Sequence, residues 1–348
     1  MTATEHQHKD HRTVSSGFET MEPTNKDIFI EVFGRTDIGV TRDHNEDTFL
    51  VADLTSGHRD LKPASRRHRL GPRGTLLMVC DGMGGAASGE VASQLAVDTI
   101  YAQMDTPPPP TTINEAAHRI IQAMETANGR ILAMSKQDAS RRGMGTTCSA
   151  ALIVESHLLA AQVGDSRVYV LRDNRLRLVT KDQSLLNQLI DTGQITEDQA
   201  ATFQHTNVIL QALGVMDNVV PILTKLALKR NDRILVCSDG LTGPVSDDEI
   251  LEIITQHGSD LVASCKALTD RANDRGGPDN ITVILAEVRG PDLPLPDPEA
   301  PIEFTPYLPH EPDSLATLKG GARSSAQAAS QTSEQVKKGD SPSGETTL

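Results

Sequence analysis

The sequence predicts an α+β fold with four layers, in which two antiparallel sheets are sandwiched between helical layers and a small helical flap is attached. Three observations predict this αββα sandwich. The chain contains many short β-rich runs joined by turns, and its helices occur in pairs instead of alternating one to one with strands. In addition, 37% of the 348 residues are hydrophobic but only 3% are aromatic, so aliphatic side chains must fill one large core.

Strands are predicted where β-branched and aliphatic residues form short runs bounded by turn residues. These runs cover residues 28–35, 48–52, 75–80, 147–154, 158–163, 168–172, 224–228, 233–237 and 281–288. Helices are predicted where apolar residues recur at helical spacing. These segments cover residues 88–104, 113–135, 183–192, 197–203, 247–257 and 259–274. One helix pair therefore follows the third strand, and another precedes the last strand.

Composition predicts where the folded part begins and ends. Residues 1–26 are polar and have little to bury, so they are expected to form a disordered leader. Nine of the 19 prolines fall within residues 291–342, and residues 290–348 are expected to form a disordered tail rich in Pro and Ser. One folded domain is therefore predicted over residues 27–289.

Two inserts interrupt this domain. Residues 53–74 carry six Lys or Arg against two Asp and form a basic insert. This insert is either a solvated loop or a docking site for acidic or phosphorylated partners. Residues 181–217 carry two short predicted helices without a strand of their own, and they are expected to form the flap.

Charge and hydropathy exclude several classes of protein. The chain has 33 Lys and Arg against 47 Asp and Glu, a formal net charge of -14, so nucleic acid and anionic membrane are not expected as main partners. No apolar run approaches the roughly 20 residues that span a bilayer, and the first 26 residues lack the apolar stretch of a signal peptide. We therefore expect a cytoplasmic protein, and a monomer.

Acidic residues lie where predicted strands begin or end. Asp81 and Asp239 follow the ends of two strands, whereas Glu46, Asp47 and Asp279 precede the starts of two others. If the two kinds of strand are antiparallel neighbours, all of these carboxylates gather on one rim of the sheet. The sequence therefore predicts a concentrated negative charge at a single place.

Such a cluster implies bound metal, because like charges a few ångströms apart are unfavourable unless cations neutralise them. Asp165, at the tip of a predicted hairpin, adds a further carboxylate. Oxygen ligands without His or Cys select Mg²⁺ or Mn²⁺. Gly82, Gly84 and Gly85 follow Asp81 and leave room for backbone carbonyls and a phosphate-sized ligand.

The motifs that carry these residues resemble those of a known family, and they occur in the family's order. They are Arg42-Asp-His-Asn-Glu-Asp47, Asp81-Gly-Met-Gly-Gly85, Gly145-Thr-Thr147, Val163-Gly-Asp-Ser-Arg167, Ser238-Asp-Gly-Leu241 and Gly277-Pro-Asp-Asn280. The chain resembles the bacterial branch of the PP2C-type (PPM) metal-dependent protein serine/threonine phosphatases over about residues 29–289. The resemblance implies two face-to-face antiparallel sheets with helix pairs outside. It also implies phosphoserine and phosphothreonine on proteins as substrates, which makes the chain an enzyme.

The resemblance further implies a centre of two Mn²⁺ or Mg²⁺ ions. Asp81 would bridge the two ions, and Gly82 would contribute its backbone carbonyl. Asp239 and Asp279 would bind the first ion, and Glu46 would bind the second.

Other residues receive supporting roles from the same resemblance. Asp47 would support the ligands from behind, and Asp165 with Asp239 would form a weaker third metal site. Arg42 would hold the substrate phosphate, since a guanidinium offers paired donors that match phosphate oxygens. Asn280 would orient the attacking water.

Three positions depart from the family pattern. Met83 stands where eukaryotic relatives have a His that is a proposed general acid, and a thioether cannot donate a proton. In the flap, relatives commonly carry Asp-His-Ser and Arg-Ala-Leu-Gly, whereas this chain has Asp182-Gln183-Ser184 and Gln211-Ala-Leu-Gly214. Both flap changes remove a cationic or titratable group, so they bear on substrate preference more than on catalysis.

Alternatives remain at the level of the sequence. The expected partners are phosphorylated proteins and a cognate serine/threonine kinase or its substrates. The alternative is a dedicated phosphatase of one anti-sigma-antagonist-type regulator. A non-catalytic phosphoprotein-binding module would keep the fold, although every expected metal-binding acid is present. A structural calcium-binding protein is disfavoured, because calcium loops draw their ligands from one contiguous segment.

Overall fold

The computed structural model describes residues 27–59, 66–84, 88–200, 203 and 208–307. In chain order its strands are β1 (Phe29–Asp37), β2 (Asp47–Asp53), β3 (Arg67–Arg69), β4 (Thr75–Met83), β5 (Gly145–Thr146), β6 (Cys148–Val154), β7 (His157–Val163), β8 (Arg167–Arg172), β9 (Arg175–Leu178), β10 (Ile222–Ala227), β11 (Arg233–Cys237), β12 (Ile281–Arg289) and β13 (Thr305–Pro306). Its helices are α1 (Ser88–Asp105), α2 (Ile113–Gln137), α3 (Leu185–Asp191), α4 (Glu197–Ala200), α5 (Asp239–Thr242), α6 (Asp247–His257) and α7 (Leu261–Asp274), and a short 3-10 helix covers Ala139–Arg141.

These strands form two antiparallel sheets. The six-stranded sheet has the order β3-β1-β12-β11-β8-β9, and the seven-stranded sheet has the order β13-β10-β7-β6-β4-β2 with β5 paired to β4. Every pairing between strands is antiparallel. The predicted α+β fold with two antiparallel sheets is therefore confirmed.

Successive side chains of the central strands point to opposite faces of the sheets, which explains the four layers. On β4, Leu76 and Met78 face the core under α1 and α2, whereas Leu77 and Val79 face the core between the two sheets. A third cluster packs the outer side of the six-stranded sheet against α6 and α7 and includes Leu235. Central strands are thus apolar on both sides, as expected when both faces of a sheet are covered.

Local sequence signals fix the starts of the covering helices. The hydroxyl of Thr112 caps α2 by accepting a hydrogen bond from the Glu115 amide. Ser246 and Glu249 form a reciprocal capping box at the start of α6, and Asp260 caps α7. These side chains satisfy amide groups that have no partner within the helix. None of the helices in the described ranges is both long enough and apolar enough to cross a membrane.

The predicted boundary at residue 289 is wrong by at least 18 positions of described chain, because residues 290–307 pack on the domain. Leu293 and Ile302 are buried in the core between the sheets. β13 pairs with β10 and extends the edge of the seven-stranded sheet, and the Tyr307 amide donates a hydrogen bond to the carbonyl of Leu223. Apolar side chains interspersed among the prolines account for this packing. The predicted leader and the tail after residue 307 lie outside the described residues.

Four strands were not predicted by the sequence, namely β3, β5, β9 and β13. Two of them are arginine-rich: β3 reads Arg-His-Arg within the predicted basic insert, and β9 reads Arg-Leu-Arg-Leu. Both are edge strands, where charged side chains are common because one side of the strand faces solvent. Hydrophobic alternation is therefore a poor signal at these positions.

Candidate functional site

Strands β2 and β4 bring two carboxylates together at the end of the core between the sheets. On β4, Leu77 and Val79 face this core, and alternation places Asp81 on the same side. Asp47 begins β2 directly opposite Asp81 in the antiparallel register. Like charges directly opposite one another destabilise a sheet. This pairing is therefore costly for the fold alone.

The six-stranded sheet contributes two further acids from the ends of β11 and β12. Asp239 is the first residue of α5, just after β11, and Asp279 lies just before β12. The Ser238 amide donates a hydrogen bond to the Thr282 carbonyl at 3.1 Å and joins these two strand ends. The antiparallel order of β11 and β12 thus places Asp239 and Asp279 at one end of the sheet.

Burial and mutual repulsion raise the pKa values of this cluster. Burial raises the pKa of Asp81 well above its usual value, and the charges of Asp47, Asp239 and Asp279 raise it further. Burial, followed by the charge of Asp279, raises the pKa of Asp239. The pKa of Asp47 is raised to about 7, mainly by burial. The four acids interact strongly, as the sequence predicted.

Two of these carboxylates keep a buried oxygen without a hydrogen-bond partner. Oδ2 of Asp47 accepts hydrogen bonds from the hydroxyls of Ser238 and Thr282, at 2.8 and 2.6 Å. Oδ1 of Asp47 and Oδ1 of Asp239 are buried and accept none. Buried acceptors without a donor are rare in folded proteins. A cation would satisfy both oxygens.

Close approach around Gly82 leaves no space for a side chain. A Cβ atom at Gly82 would lie 2.2 Å from the Gly89 carbonyl oxygen and 2.6 Å from that of Glu46. A Cβ atom at Gly89 would lie 2.7 Å from Cδ of Glu46. The Glu46 side chain therefore lies against Gly89 at the start of α1. Gly85 lies outside the described residues.

The donor set fits Mg²⁺ or Mn²⁺, which prefer carboxylate and carbonyl oxygens. The buried, partnerless oxygens of Asp47 and Asp239 and the mutual repulsion around Asp81 support this fit. Among the described residues, no three His, Cys, Asp or Glu side chains already form a complete metal-binding group. Asp279 is paired with Arg42 instead.

Arg42 reaches the carboxylate cluster from the loop between β1 and β2. Its Nη2 donates a hydrogen bond to Oδ2 of Asp279 at 2.7 Å, and this contact raises the pKa of Arg42. The charges of Glu46 and Asp81 raise it further, so both acids lie near the guanidinium. The Arg42 side chain keeps about half of its surface exposed.

The Asn280 side chain binds backbone groups of the loop between β1 and β2. Its Oδ1 accepts a hydrogen bond from the Glu46 amide at 2.8 Å, and its Nδ2 donates to the carbonyls of Ile38 and His44, each at 2.9 Å. The residue is buried. Both amide donors and the amide oxygen are engaged with backbone, and the role of Asn280 in orienting water stays a prediction. Asn280 holds the loop that carries Arg42 and Glu46.

Asp165 lies on the neighbouring hairpin between β7 and β8. Its pKa is raised to about 7 by burial and by the charges of Asp239 and Asp182. The preceding Gly164 has φ +104°, and its amide donates to Oε1 of Gln183 at 2.8 Å. Gln183, at one of the positions that departs from the family pattern, therefore fixes the hairpin next to Asp165.

Arg167 and Asp182 form a contact that sequence analysis missed as a functional pair. The Arg167 guanidinium donates to both carboxylate oxygens of Asp182, at distances from 2.7 to 3.0 Å. It also donates to the Tyr169 hydroxyl, which in turn donates to Asp247. The signal was present, since Arg167 and Asp182 belong to two of the recognised motifs, but only the fold shows that they meet.

A cleft of about 470 Å³ opens beside these residues. Its walls include Arg42, Asp165, Arg167, Asp182, Leu186, Asp239, Pro244, Pro278 and Asp279. It therefore extends from the carboxylate cluster to the first turn of α3. This volume lies within the usual range of ligand-binding clefts.

Comparison with known proteins identifies a family and several similar phosphatases. The sequence model described as "Protein phosphatase 2C" matches residues 65–286. A serine/threonine phosphatase, stp, of Listeria welshimeri is 34% identical over 253 residues, which cover 73% of this chain and 94% of that protein.

Solved structures of serine/threonine phosphatases are also similar to this chain. A serine/threonine phosphatase of S. agalactiae is 33% identical with a TM-score of 0.65, and the match covers 74% of this chain and 98% of that one. The catalytic domain of the phosphatase PstP, solved in complex with two manganese ions, is 34% identical with a TM-score of 0.62, over 75% of this chain and 99% of that one. The chain therefore belongs to the protein phosphatase 2C family and is a metal-dependent serine/threonine protein phosphatase of the bacterial type.

Proposed function

We propose that this phosphatase hydrolyses phosphoserine and phosphothreonine on proteins with a water molecule activated at a dinuclear Mn²⁺ or Mg²⁺ centre, and that it opposes a serine/threonine kinase. The observation that carries the proposal is the direct opposition of Asp47 and Asp81 between the sheets. This arrangement is costly for the fold and is useful only when a cation is bound.

Asp81, Asp239 and Asp279 are the proposed carboxylate ligands of this centre, with Glu46 and the carbonyl of Gly82. When bound, the two ions would lower the pKa of a water molecule and neutralise charge on the phosphoryl oxygens. Asp239 offers a buried oxygen that has no other partner. The tight approach of Gly82 to neighbouring backbone keeps its peptide unit beside Glu46.

Asp47 acts behind these ligands. The hydroxyls of Ser238 and Thr282 fix one of its oxygens, and its other oxygen stays buried among the neighbouring acids. Its negative charge would strengthen the field that attracts cations. Asp165, together with Asp239, would form a weaker third site, because the charge of Asp239 acts on Asp165 although Asp165 lies on the β7–β8 hairpin and Asp239 begins α5.

Arg42 would bind the substrate phosphate. Its guanidinium is half-exposed at the mouth of the cleft and is held beside Asp279 by one N–H group, which leaves other donors for phosphate oxygens. Met83 cannot donate a proton to the leaving hydroxyl of the substrate. Protonation by solvent water is therefore proposed, which the open cleft permits.

The test is an Asp81→Asn variant, compared with Asp270→Asn as a matched control. Asp270 lies on α7 and pairs with Lys266 at the surface. Asp81→Asn should lose Mn²⁺ binding in calorimetry and lose hydrolysis of both p-nitrophenyl phosphate and a phosphothreonine peptide, whereas Asp270→Asn should behave as wild type. Full activity of Asp81→Asn would refute the proposed centre. Hydrolysis by the wild-type protein that persists in EDTA would refute it as well.

A further inference from the structure

Large hydrophobic side chains that remain exposed are concentrated on two segments of the chain. Nine such side chains occur among the described residues. Five of them belong to residues 208–220, and two belong to residues 38–40. Exposed apolar surface gathered in one region is typical of an interaction site, whereas single exposed residues scattered over a protein are ordinary.

We define the flap rim as Val208, Leu210, Val215, Met216 and Val220, and the arginine-loop rim as Ile38 and Val40. Val40 and Val220 each keep 67% of their surface exposed. Charged residues are abundant in this acidic chain. The concentration of apolar side chains at these exposed positions is therefore more notable.

The flap rim is attached to the catalytic centre through β5. Leu213 exchanges backbone hydrogen bonds with Thr146, and Gly145 lies opposite Met83 in the pairing of β5 with β4. A Cβ atom at Gly145 would lie 2.6 Å from Cγ2 of Val215 and 3.7 Å from Cγ of Met83. Val215 thus fills the space that Gly145 leaves, next to Met83.

Met83 continues this apolar wall to the carboxylates. It lies two residues after Asp81 on β4, so strand alternation places both side chains on the same side of the sheet. The wall formed by Met83 and Val215 therefore begins next to the proposed metal centre and leads onto the flap.

The arginine-loop rim is attached to the centre from the other side. The Val40 amide donates to the Gly277 carbonyl, and Nδ2 of Asn280 donates to the Ile38 carbonyl. Val40 lies two residues before Arg42. A phosphorylated side chain held by Arg42 would therefore have apolar protein surface near the residues that precede and follow it.

We propose that the two rims form a docking surface for the substrate polypeptide, and that they select phosphorylation sites flanked by aliphatic residues. The inference rests on the proposed function of the same site. The occupant is an extended segment of a phosphoprotein, because both rims are tied to residues next to the cleft. The Leu185 amide donates to the Val208 carbonyl and the Leu210 amide to the Gln183 carbonyl, on either side of the cleft-lining Ser184, and Val40 lies two residues before the cleft-lining Arg42. Burial of aliphatic side chains against the rims would favour such segments by the hydrophobic effect.

The experiment compares two phosphothreonine peptides that differ only in having Leu or Ser on both sides of the phosphothreonine. The wild-type protein with Mn²⁺ should hydrolyse the Leu peptide with a kcat/KM about tenfold higher, as expected from burying one or two aliphatic side chains. The preference should persist in 0.5 M NaCl, since salt screens charges but does not weaken apolar contacts.

Two sets of variants test whether the flap rim causes the preference for the Leu peptide. The double variant Met216→Ser/Val220→Ser should reduce the preference to about twofold and leave hydrolysis of p-nitrophenyl phosphate unchanged, because that small substrate does not reach the rim. Val262→Ser on α7 is the matched control, since Val262 is as exposed as Met216 but lies on another face, and this variant should keep the tenfold preference.

The outcomes separate the two proposals. If the wild-type protein fails to hydrolyse p-nitrophenyl phosphate with Mn²⁺, the proposed function fails. If it hydrolyses that compound but treats both peptides equally, only the docking surface is refuted. Sedimentation analysis that shows a dimer dissociated by Met216→Ser/Val220→Ser would also overturn the proposal, since a second copy of the chain would then cover the flap rim.

Discussion

Nη2 of Arg42 donates a 2.7 Å hydrogen bond to Oδ2 of Asp279, across 237 positions of the chain. The contact joins the proposed phosphate-binding group to a proposed metal ligand. Arg42 is thus held at the edge of the carboxylate cluster by a partner that is itself part of the site. The loop backbone strengthens this arrangement, because the amides of Val40 and Thr41 both donate to the Gly277 carbonyl.

Replacement of Arg42 should therefore weaken substrate binding more than chemistry. Arg42→Ala removes a charge-assisted contact to phosphate worth about 1.5–3 kcal/mol, so KM for a phosphopeptide should rise by about 10- to 100-fold. Arg42→Lys should recover part of this loss, since an ammonium group keeps the charge but not the paired geometry. Steady-state kinetics and inhibition by inorganic phosphate measure both effects. An unchanged KM in Arg42→Ala would contradict the assignment.

The carboxylate cluster makes the stability of the metal-free protein depend on pH. Asp47 and Asp165 have pKa values raised to about 7, and the pKa of Asp81 is raised well above its usual value. A carboxyl whose pKa is raised by folding binds its proton more tightly in the folded than in the unfolded state. Stability is then highest near pH 4 for these groups and falls as the pH rises to about 7.

Thermal unfolding in EDTA should show this dependence. The Tm should fall by about 5 °C or more between pH 5 and pH 8, and Mn²⁺ should restore it by neutralising the cluster. Acids whose pKa values are lowered, such as Asp37 and Glu115, lose their stabilising effect only below about pH 4 and do not mask the trend. Asp81→Asn should flatten the profile. A Tm that rises from pH 5 to pH 8 in EDTA would contradict this account.

Sequence analysis predicted most of the fold because the aliphatic composition of the central strands is a strong signal. β4 and β12 are aliphatic on both faces, and the helix pairs have regular spacing and clear caps. The edge strands β3 and β9 were not predicted, because arginine-rich segments resemble solvated loops. Residues 290–307 were not predicted to pack on the domain, because their high proline content is typical of a tail and only a few apolar side chains anchor them.

The site was predictable to the extent that it depends on strand ends. The acids at the ends of β4 and β11 and before β2 and β12 converge because the strands are antiparallel, which the pattern of motifs indicated. The role of Asn280 was not predictable, because its partners are backbone groups of a loop that is distant in sequence. The pairing of Arg167 with Asp182 likewise depends on how the flap begins.

A buried ion pair at a distance from the site offers a test that separates stability from activity. Arg172 donates from Nε and Nη2 to both carboxylate oxygens of Asp232, at 2.8 and 2.7 Å, and Asp232 has no exposed surface. Arg172→Ala would leave a buried carboxylate without its partner and should lower the free energy of unfolding by about 3–5 kcal/mol. Urea denaturation measures this loss. KM of the folded variant should remain as in wild type.

The matched control removes both charges. Arg172→Met/Asp232→Leu should be less destabilised than Arg172→Ala, because apolar residues of similar volume avoid the cost of an unpaired buried charge. The Lys229 amide also donates to Asp232, so the double variant loses one further hydrogen bond. Equal destabilisation of the single and double variants would show that the loss comes from packing and not from the uncompensated charge.

Asn280 provides the most specific test of how the loop is held. Asn280→Asp keeps an oxygen that accepts from the Glu46 amide but loses both donors to the carbonyls of Ile38 and His44. It also places another negative charge beside Asp279. We expect a drop in kcat/KM of about 10- to 100-fold, with faster hydrogen exchange in the peptide that contains the Glu46 amide, because loss of each buried hydrogen bond costs about 1–3 kcal/mol.

Hydrogen exchange at the Glu46 amide should be faster in Asn280→Ala than in Asn280→Asp, because alanine removes the acceptor as well as the donors. If Asn280 instead oriented the attacking water, Asn280→Ala would lower kcat and leave both the exchange of that amide and the affinity for inorganic phosphate unchanged. The two measurements therefore distinguish a positioning residue from a catalytic one. A loose loop would misplace Arg42 and Glu46 together, so phosphate affinity and Mn²⁺ affinity should fall in parallel.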